Sequence, residues 1–167
     1  MGLFFVYDSF TRCLRNKDDY FHSYLVYRKY FAPKWSSHPL GQRLEAMMHA
    51  QTLMKVGSKY PDYVLEDLNG LRVSIGKIIK GKWALIDLWA SWCGSCRSFS
   101  RILIPLYHKY KDRGFIIVGI AREKSVNDVL CALALEKYPW MQFVELEDKN
   151  SIWLKHGIEN AGVVFFW

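Results

Sequence analysis

The sequence predicts an α/β domain with a parallel core, preceded by a short helical segment. Three observations carry this. Apolar runs of strand length stand at Trp83–Trp89, Phe115–Ala121 and Gln142–Leu146. Helix-length stretches separate them, and a strand–helix–strand–helix–strand order makes parallel crossover units. The punctuation agrees: Asn69-Gly70 reads as a hairpin turn, Gly114 as a residue past a helix end, and Pro139 as a stop.

Residues 1–55 read as a helical extension. Tyr20, Tyr24, Tyr27 and Phe31 recur at helical spacing within Asp8–Phe31, as a stripe expected to pack in a core, and Pro33 is expected to stop that helix. Ser36-Ser37 is the expected cap of a second helix over His38–Lys55, with Leu40, Leu44, Met47 and Met48 on one face. Val56–Pro61 is a linker-like break. A strand–turn–strand over Asp62–Ser74 follows, then the Trp83–Trp89 strand, and then a helix from Cys93 to about Asp112. Phe115–Ala121 is the next strand. Ser125 opens a helix to about Tyr138, and Gln142–Leu146 is a third strand. Asn150–His156 is a short helix and Val163–Trp167 a last apolar strand.

At 167 residues, with 51% hydrophobic and 16% aromatic residues, the chain is long and apolar enough for one domain with an extension. No apolar run reaches the ~20 residues of a membrane span. The first residues, an apolar stretch too short for a signal core, are not expected to form a secretory leader. The net charge of +7 is scattered, which fits a solvated basic surface and no nucleic-acid partner.

Four cysteines, Cys13, Cys93, Cys96 and Cys131, do not make a disulfide scaffold. Cys93 and Cys96 form a Cys-x-x-Cys pair. A structural zinc site needs a second close pair of ligands, and the five histidines and two other cysteines supply none, so no metal is expected. The position of the pair points to redox chemistry. It falls where a buried strand ends and a helix begins, so Cys93 sits at a helix N-terminus, which favours an anion and lowers a thiol pKa. Cys96, one turn on, can close a disulfide with Cys93 or resolve a mixed disulfide. Gly94 suits a tight turn there, and Trp89 and Trp92 form an apolar surround. Asp87, a carboxyl in a buried strand, is expected to have a raised pKa suited to proton transfer.

The segment Ile86-Asp-Leu-Trp-Ala-Ser-Trp-Cys-Gly-Ser-Cys-Arg97 resembles the active-site segment of the thioredoxin superfamily. The wider pattern is similar to its TlpA/ResA branch of bacterial envelope oxidoreductases, in the form common among Bacteroidetes. Val56-Gly57, Pro61-Asp62-Tyr63, Leu106-Tyr-His-Lys-Tyr-Lys and His156-Gly157-Ile158 support this over residues 56–167. The resemblance implies a three-layer fold around a mixed sheet. It implies a nucleophile at Cys93, a resolving cysteine at Cys96 and a proton-moving carboxylate at Asp87. It also implies protein thiols and disulfides as partners, an upstream thiol reductant, no cofactor beyond the redox-active disulfide, and a place in the cell envelope or periplasm.

The chain departs from that pattern at four points. Ser95 stands where a proline is usual between the cysteines. Phe99 stands where the branch often has a glutamate. Gly162 aligns with the cis-proline that faces the disulfide, which leaves that backbone less fixed. The family fold also continues with a strand and a helix beyond Val163–Trp167, so the sequence is expected to be a fragment or truncated product, with residues 1–55 the remnant of a larger N-terminal domain.

Other candidates receive structural readings. Cys131 is expected to be buried on an apolar helix face, Cys13 to be inert, and His156 to lie at the surface. Two other functions stay open. One is a non-catalytic thioredoxin-like binding module. The other is a peroxidase of the AhpC/TSA type, whose Pro-x-x-x-Thr/Ser-x-x-Cys motif would need Pro and Thr or Ser where Ile86 and Ala90 stand.

Overall fold

The computed structural model describes residues 7, 20–54, 56–158 and 161–166. Cys13 and the predicted helical turns before Tyr20 lie outside them. Side chains of residues 20, 21, 51–53 and 163–166 are likewise outside the description. The chain divides into two compact units, one of residues 1–58 with 154–157, the other of residues 59–153 with 158–167.

The first unit holds helices α1 (Tyr20–Tyr30), α2 (Ala32–Trp35) and α3 (Pro39–Leu53). Its core gathers Tyr27, Ala32, Leu44, Met47 and Met48, with Tyr24, Phe31 and Leu154 against them. The aromatic stripe is therefore core packing where it is described. Helix α1 ends at Tyr30, ahead of Pro33 as expected, and Pro33 lies in the first turn of α2, where its missing N–H costs nothing. One expected boundary moves. The cap of α3 is not Ser36 or Ser37 but His38, whose Nδ1 accepts the Leu40 N–H at 3.2 Å, with Pro39 opening the helix. His156 is buried at 3% exposure, not at the surface, because the turn after Lys155 folds it into this unit.

The second unit is built on one six-stranded sheet. Strands β1 (Val64–Asp67) and β2 (Arg72–Ser74) form the predicted hairpin; Gly70 takes φ +79° in its turn, and Asp67 Oδ1 accepts the Asn69 and Leu71 N–H groups. Helix α4 (Ile75–Ile79) leads to β3 (Trp83–Trp89), and helix α5 (Gly94–Tyr110) with a 3₁₀ turn leads to β4 (Phe115–Glu123). Gly114 ends that turn at φ +84°. Helix α6 (Val126–Glu136), capped by Ser125, leads to β5 (Met141–Leu146). Helix α7 (Ile152–Lys155) and β6 (Val163–Phe166) complete the order.

The strand order is β2-β1-β5-β4-β3-β6. Strands β3, β4 and β5 are parallel, as the crossover pattern predicts. Strands β1 and β6 run antiparallel to their neighbours, so the sheet is mixed. One face packs Ile86, Leu88, Val118, Ile120 and Phe143 against Ile75, Ile79, Ile152 and Trp153. The other packs Leu85, Trp89, Ile117, Ala121 and Val144 against residues of α5 and α6. Helix α7 is shorter than predicted because Glu147, Asp148 and Ser151 take left-handed backbone before it. Buried Glu145 holds that loop, accepting the Asn150 N–H at 2.7 Å and its side-chain amide at 2.6 Å.

The register places Asp87, Gly119 and Gln142 side by side across β3, β4 and β5. Gly119 lacks a side chain, and the Gln142 amide lies over it: a Cβ there would collide with Gln142 Oε1. Gln142 Oε1 accepts the Trp89 indole N–H at 3.0 Å. Gly119→Ala would push that amide aside and leave the buried indole N–H without its acceptor. We expect a loss of about 1–3 kcal/mol, read as a lower urea midpoint. A midpoint unchanged in Gly119→Ala would contradict this packing.

Candidate active site

Strand β3 carries Asp87 and Trp89 into the interior and delivers the chain to a loop, Ala90–Trp92, at its carboxyl end. That loop is held from several sides. Ser91 N–H donates to Glu123 at the end of β4, and Ser91 C=O accepts from Arg97 at 3.5 Å. Cys93 N–H donates to Ala90 C=O at 3.1 Å. Arg97 is itself fixed by Glu136 of α6, which also binds Arg101 at 2.5 and 2.6 Å. These two guanidiniums hold the Glu136 carboxyl below its ordinary pKa, with Arg101 the stronger cause.

Cys93 is the N-cap of α5, and its sulfur accepts the Cys96 N–H at 3.2 Å. A sulfur in this place faces free N–H groups and the positive end of a seventeen-residue helix. The Ser95 hydroxyl lies 3.5 Å from the same sulfur. Cys93 and Cys96 are joined as a disulfide. Cys93 is half-buried, whereas Cys96 is 3% exposed and packs with Trp89, Ala121 and Val129. One sulfur is thus open to a partner and the other is shielded.

Gly162 lies against the pair. A Cβ there would be 3.2 Å from Cys96 Sγ and 3.9 Å from Cys93 Sγ, and its φ of +96° suits glycine. Its N–H donates to Leu88 C=O at 2.9 Å, which fixes the backbone without a proline. No cis peptide occurs among the described residues.

Asp87 is buried at 2% exposure, and burial pushes its carboxyl up to about 6. Its Oδ2 accepts the Ser100 hydroxyl at 2.7 Å, which pulls the other way. Tyr138 packs edge-on against Trp89, with ring centres 5.5 Å apart, and stacks on Trp140 at 5.1 Å. Burial pushes the Tyr138 phenol up to about 12.

Three expectations change. Trp92, next to Cys93, is 67% exposed and so is no buried apolar cover, whereas Trp89 is fully buried. Gly94 is not required by a tight turn, since it lies in ordinary helical backbone with open space where a Cβ would stand. Cys131 is exposed, because Val129, Ala132 and Glu136 take the inward face of α6 and Cys131 lies on the other. Phe99 is exposed on α5. The sequence reading missed Ser100, Gln142, Glu123, Arg97 and Glu136. The available signal was phase: Ser100 lies one turn after Cys96, and Glu136 continues the Val129–Ala132 face of α6.

A Cys-x-x-Cys disulfide capping a helix at the end of a parallel strand, with a buried carboxyl in that strand, defines a thioredoxin-like redox domain. The chain belongs to the AhpC/TSA family, whose model matches residues 56–165. It is 30% identical over 111 residues to the thiol:disulfide interchange protein DsbE of Pseudomonas fluorescens biotype C, covering 66% of this chain and 60% of that protein. It is 31% identical over 72 residues to the thiol-disulfide oxidoreductase ResA of Bacillus thuringiensis, covering 43% of this chain and 41% of that protein. The chain thus spans less than two thirds of these curated relatives. Among solved structures, the thioredoxin domain of a thiol-disulfide oxidoreductase from Bacteroides vulgatus matches with TM-score 0.61 and 29% identity, covering 67% of this chain and 80% of that one. A thiol:disulfide interchange protein from Bacteroides sp. matches with TM-score 0.62 and 28% identity, covering 68% of this chain and 74% of that one.

Proposed function

We propose that this chain is a thiol–disulfide oxidoreductase that exchanges disulfides with protein substrates through Cys93 and Cys96. The observation that carries this reading is the asymmetry of the pair: a half-exposed sulfur capping a helix, bonded to a shielded one. In the reduced protein the Cys93 thiol loses its proton readily, because the thiolate gains the helix N-terminus and the Cys96 N–H. The thiolate attacks one sulfur of a substrate disulfide, and the other sulfur leaves as a thiolate that takes up a proton. The Cys96 thiol then passes its proton to Asp87 and attacks Cys93 Sγ. This closes the Cys93–Cys96 bond and releases the second substrate thiolate, which is protonated in turn. Two electrons move from the cysteine pair to the substrate, and no further cofactor takes part. An upstream dithiol restores the pair by the reverse steps. A place in the cell envelope follows from the resemblance to envelope oxidoreductases.

A peroxidase reading within the same family finds no support at the site. The positions of its proline and threonine hold Ile86 and Ala90, both fully buried and without a polar atom to orient a peroxide.

The proposal is tested by following insulin reduction in dithiothreitol. Catalytic amounts of the chain are expected to hasten precipitation of the insulin B chain. Precipitation at the uncatalysed rate would contradict the proposal and favour a non-catalytic binding module.

A further inference from the structure

Ser100 is a fully buried hydroxyl on the core-facing side of α5. Its Oγ lies 2.7 Å from Asp87 Oδ2 and 3.1 Å from the backbone carbonyl of Cys96, four residues back. A serine hydroxyl has one proton to donate, so it cannot serve both acceptors at once. With Asp87 ionised, the charge-assisted bond to the carboxylate prevails. With Asp87 protonated, the carboxyl O–H donates to Ser100 Oγ, and the serine proton turns to the Cys96 carbonyl. The Ser100 hydroxyl keeps its bond to Asp87 in both arrangements, and only protons move.

We propose that Ser100 is a positioning residue of the exchange reaction, a two-way hydrogen-bond switch linking the charge on Asp87 to the helical turn that bears Cys96. This rests on the exchange function above and deepens it. A carboxyl must be ionised to receive the Cys96 proton, and burial opposes ionisation. Ser100 is the donor that opposes burial: its bond lowers the Asp87 pKa, which desolvation has raised. Once Asp87 takes the proton, the same hydroxyl accepts from it and caps the Cys96 carbonyl instead. The proton passes on to the leaving substrate thiolate or to water, and no other reactant is needed.

The groups around Asp87 leave this role to Ser100. Strands β4 and β5 present Gly119 and Gln142 beside it, neither of which titrates. Tyr138 interacts with both Ser100 and Asp87, but its phenol is pushed up to about 12 and stays neutral. Arg97 and Glu136 influence Tyr138 and are paired with each other. Helix α5 adds the cysteine pair, and its Arg97 and Arg101 are both bonded to Glu136.

Two readouts test the proposal. The first is a carbon NMR titration of the Asp87 carboxyl in the oxidised chain, wild type against Ser100→Ala, which needs no activity. The variant is expected to titrate higher by about one pH unit, the worth of a hydroxyl bond to a charged group. An unmoved titration would overturn the proposal. The second is the pH profile of substrate release from the mixed disulfide. Ser100→Ala is expected to shift its rising limb upward by about one unit in wild type and not at all beside Asp87→Asn. An equal shift in both backgrounds, or none in an active wild type, would overturn the switch while leaving the exchange function standing. A wild type that forms no mixed disulfide would overturn both.

Discussion

Replacing Cys93 by serine is expected to return insulin reduction to the uncatalysed rate. An alcohol is not ionised near neutral pH, so the variant has no nucleophile where the substrate arrives. Cys96 cannot take over, because it is 3% exposed and enclosed by Trp89, Ala121 and Val129. Cys131 cannot either: it is exposed, but it lies on the outward face of α6 and not at the capping position of α5. Cys131→Ser is accordingly expected to keep full activity. The two variants together separate a site-specific loss from a general loss of thiols. Activity retained in Cys93→Ser would refute the assignment of the nucleophile.

The second large effect is a stability that depends on Asp87. Burial raises its carboxyl from 3.8 to about 6 in the oxidised fold, and unfolding returns it to its ordinary value. Between those values the folded protein holds a proton that the unfolded chain has released. This contribution to stability is therefore full below the unfolded pKa and is lost as pH rises through about 6. A shift of about two units corresponds to about 3 kcal/mol. Asp87→Asn does not titrate, so this fall should vanish in the variant. Glu136 bends the curve the opposite way, since the Arg101 and Arg97 bonds lower its pKa and are lost in acid. The difference between wild type and variant isolates Asp87. Urea unfolding of both oxidised proteins from pH 3 to pH 8 should give curves that diverge by about 3 kcal/mol across that range. Parallel curves would show that Asp87 is not held in an unfavourable ionised state.

Most of the second unit was legible because its signals are local. Apolar strand-length runs give β3 and β4, Asn69-Gly70 gives the hairpin turn, Gly114 the helix end, and Ser125 the cap of α6. The chemistry of Cys93 was legible for the same reason, since a cap depends on what directly follows it. The polar frame of the site was not. Ser100 reaches Asp87 across 13 residues, Ser91 reaches Glu123 across 32, and Trp89 reaches Gln142 across 53. Such pairings follow from the crossing of α5 over the sheet and from the register of three parallel strands, which no local pattern encodes. The misread residues share a physical cause. The apolar run around Cys131 predicts a buried thiol and the Gly after His156 a surface imidazole, whereas helical phase and the turn after Lys155 decide their exposure. Trp92 was assigned from its neighbours, whereas the loop that carries it leaves it exposed.

The central claim is that Cys93 alone receives the substrate and Cys96 resolves the product. Mass spectrometry of Cys96→Ser after incubation with an oxidised protein substrate tests it most directly. The account predicts a stable mixed disulfide mapped to Cys93, formed faster than any adduct at Cys131. An adduct confined to Cys131, or no adduct in a folded variant, would contradict it.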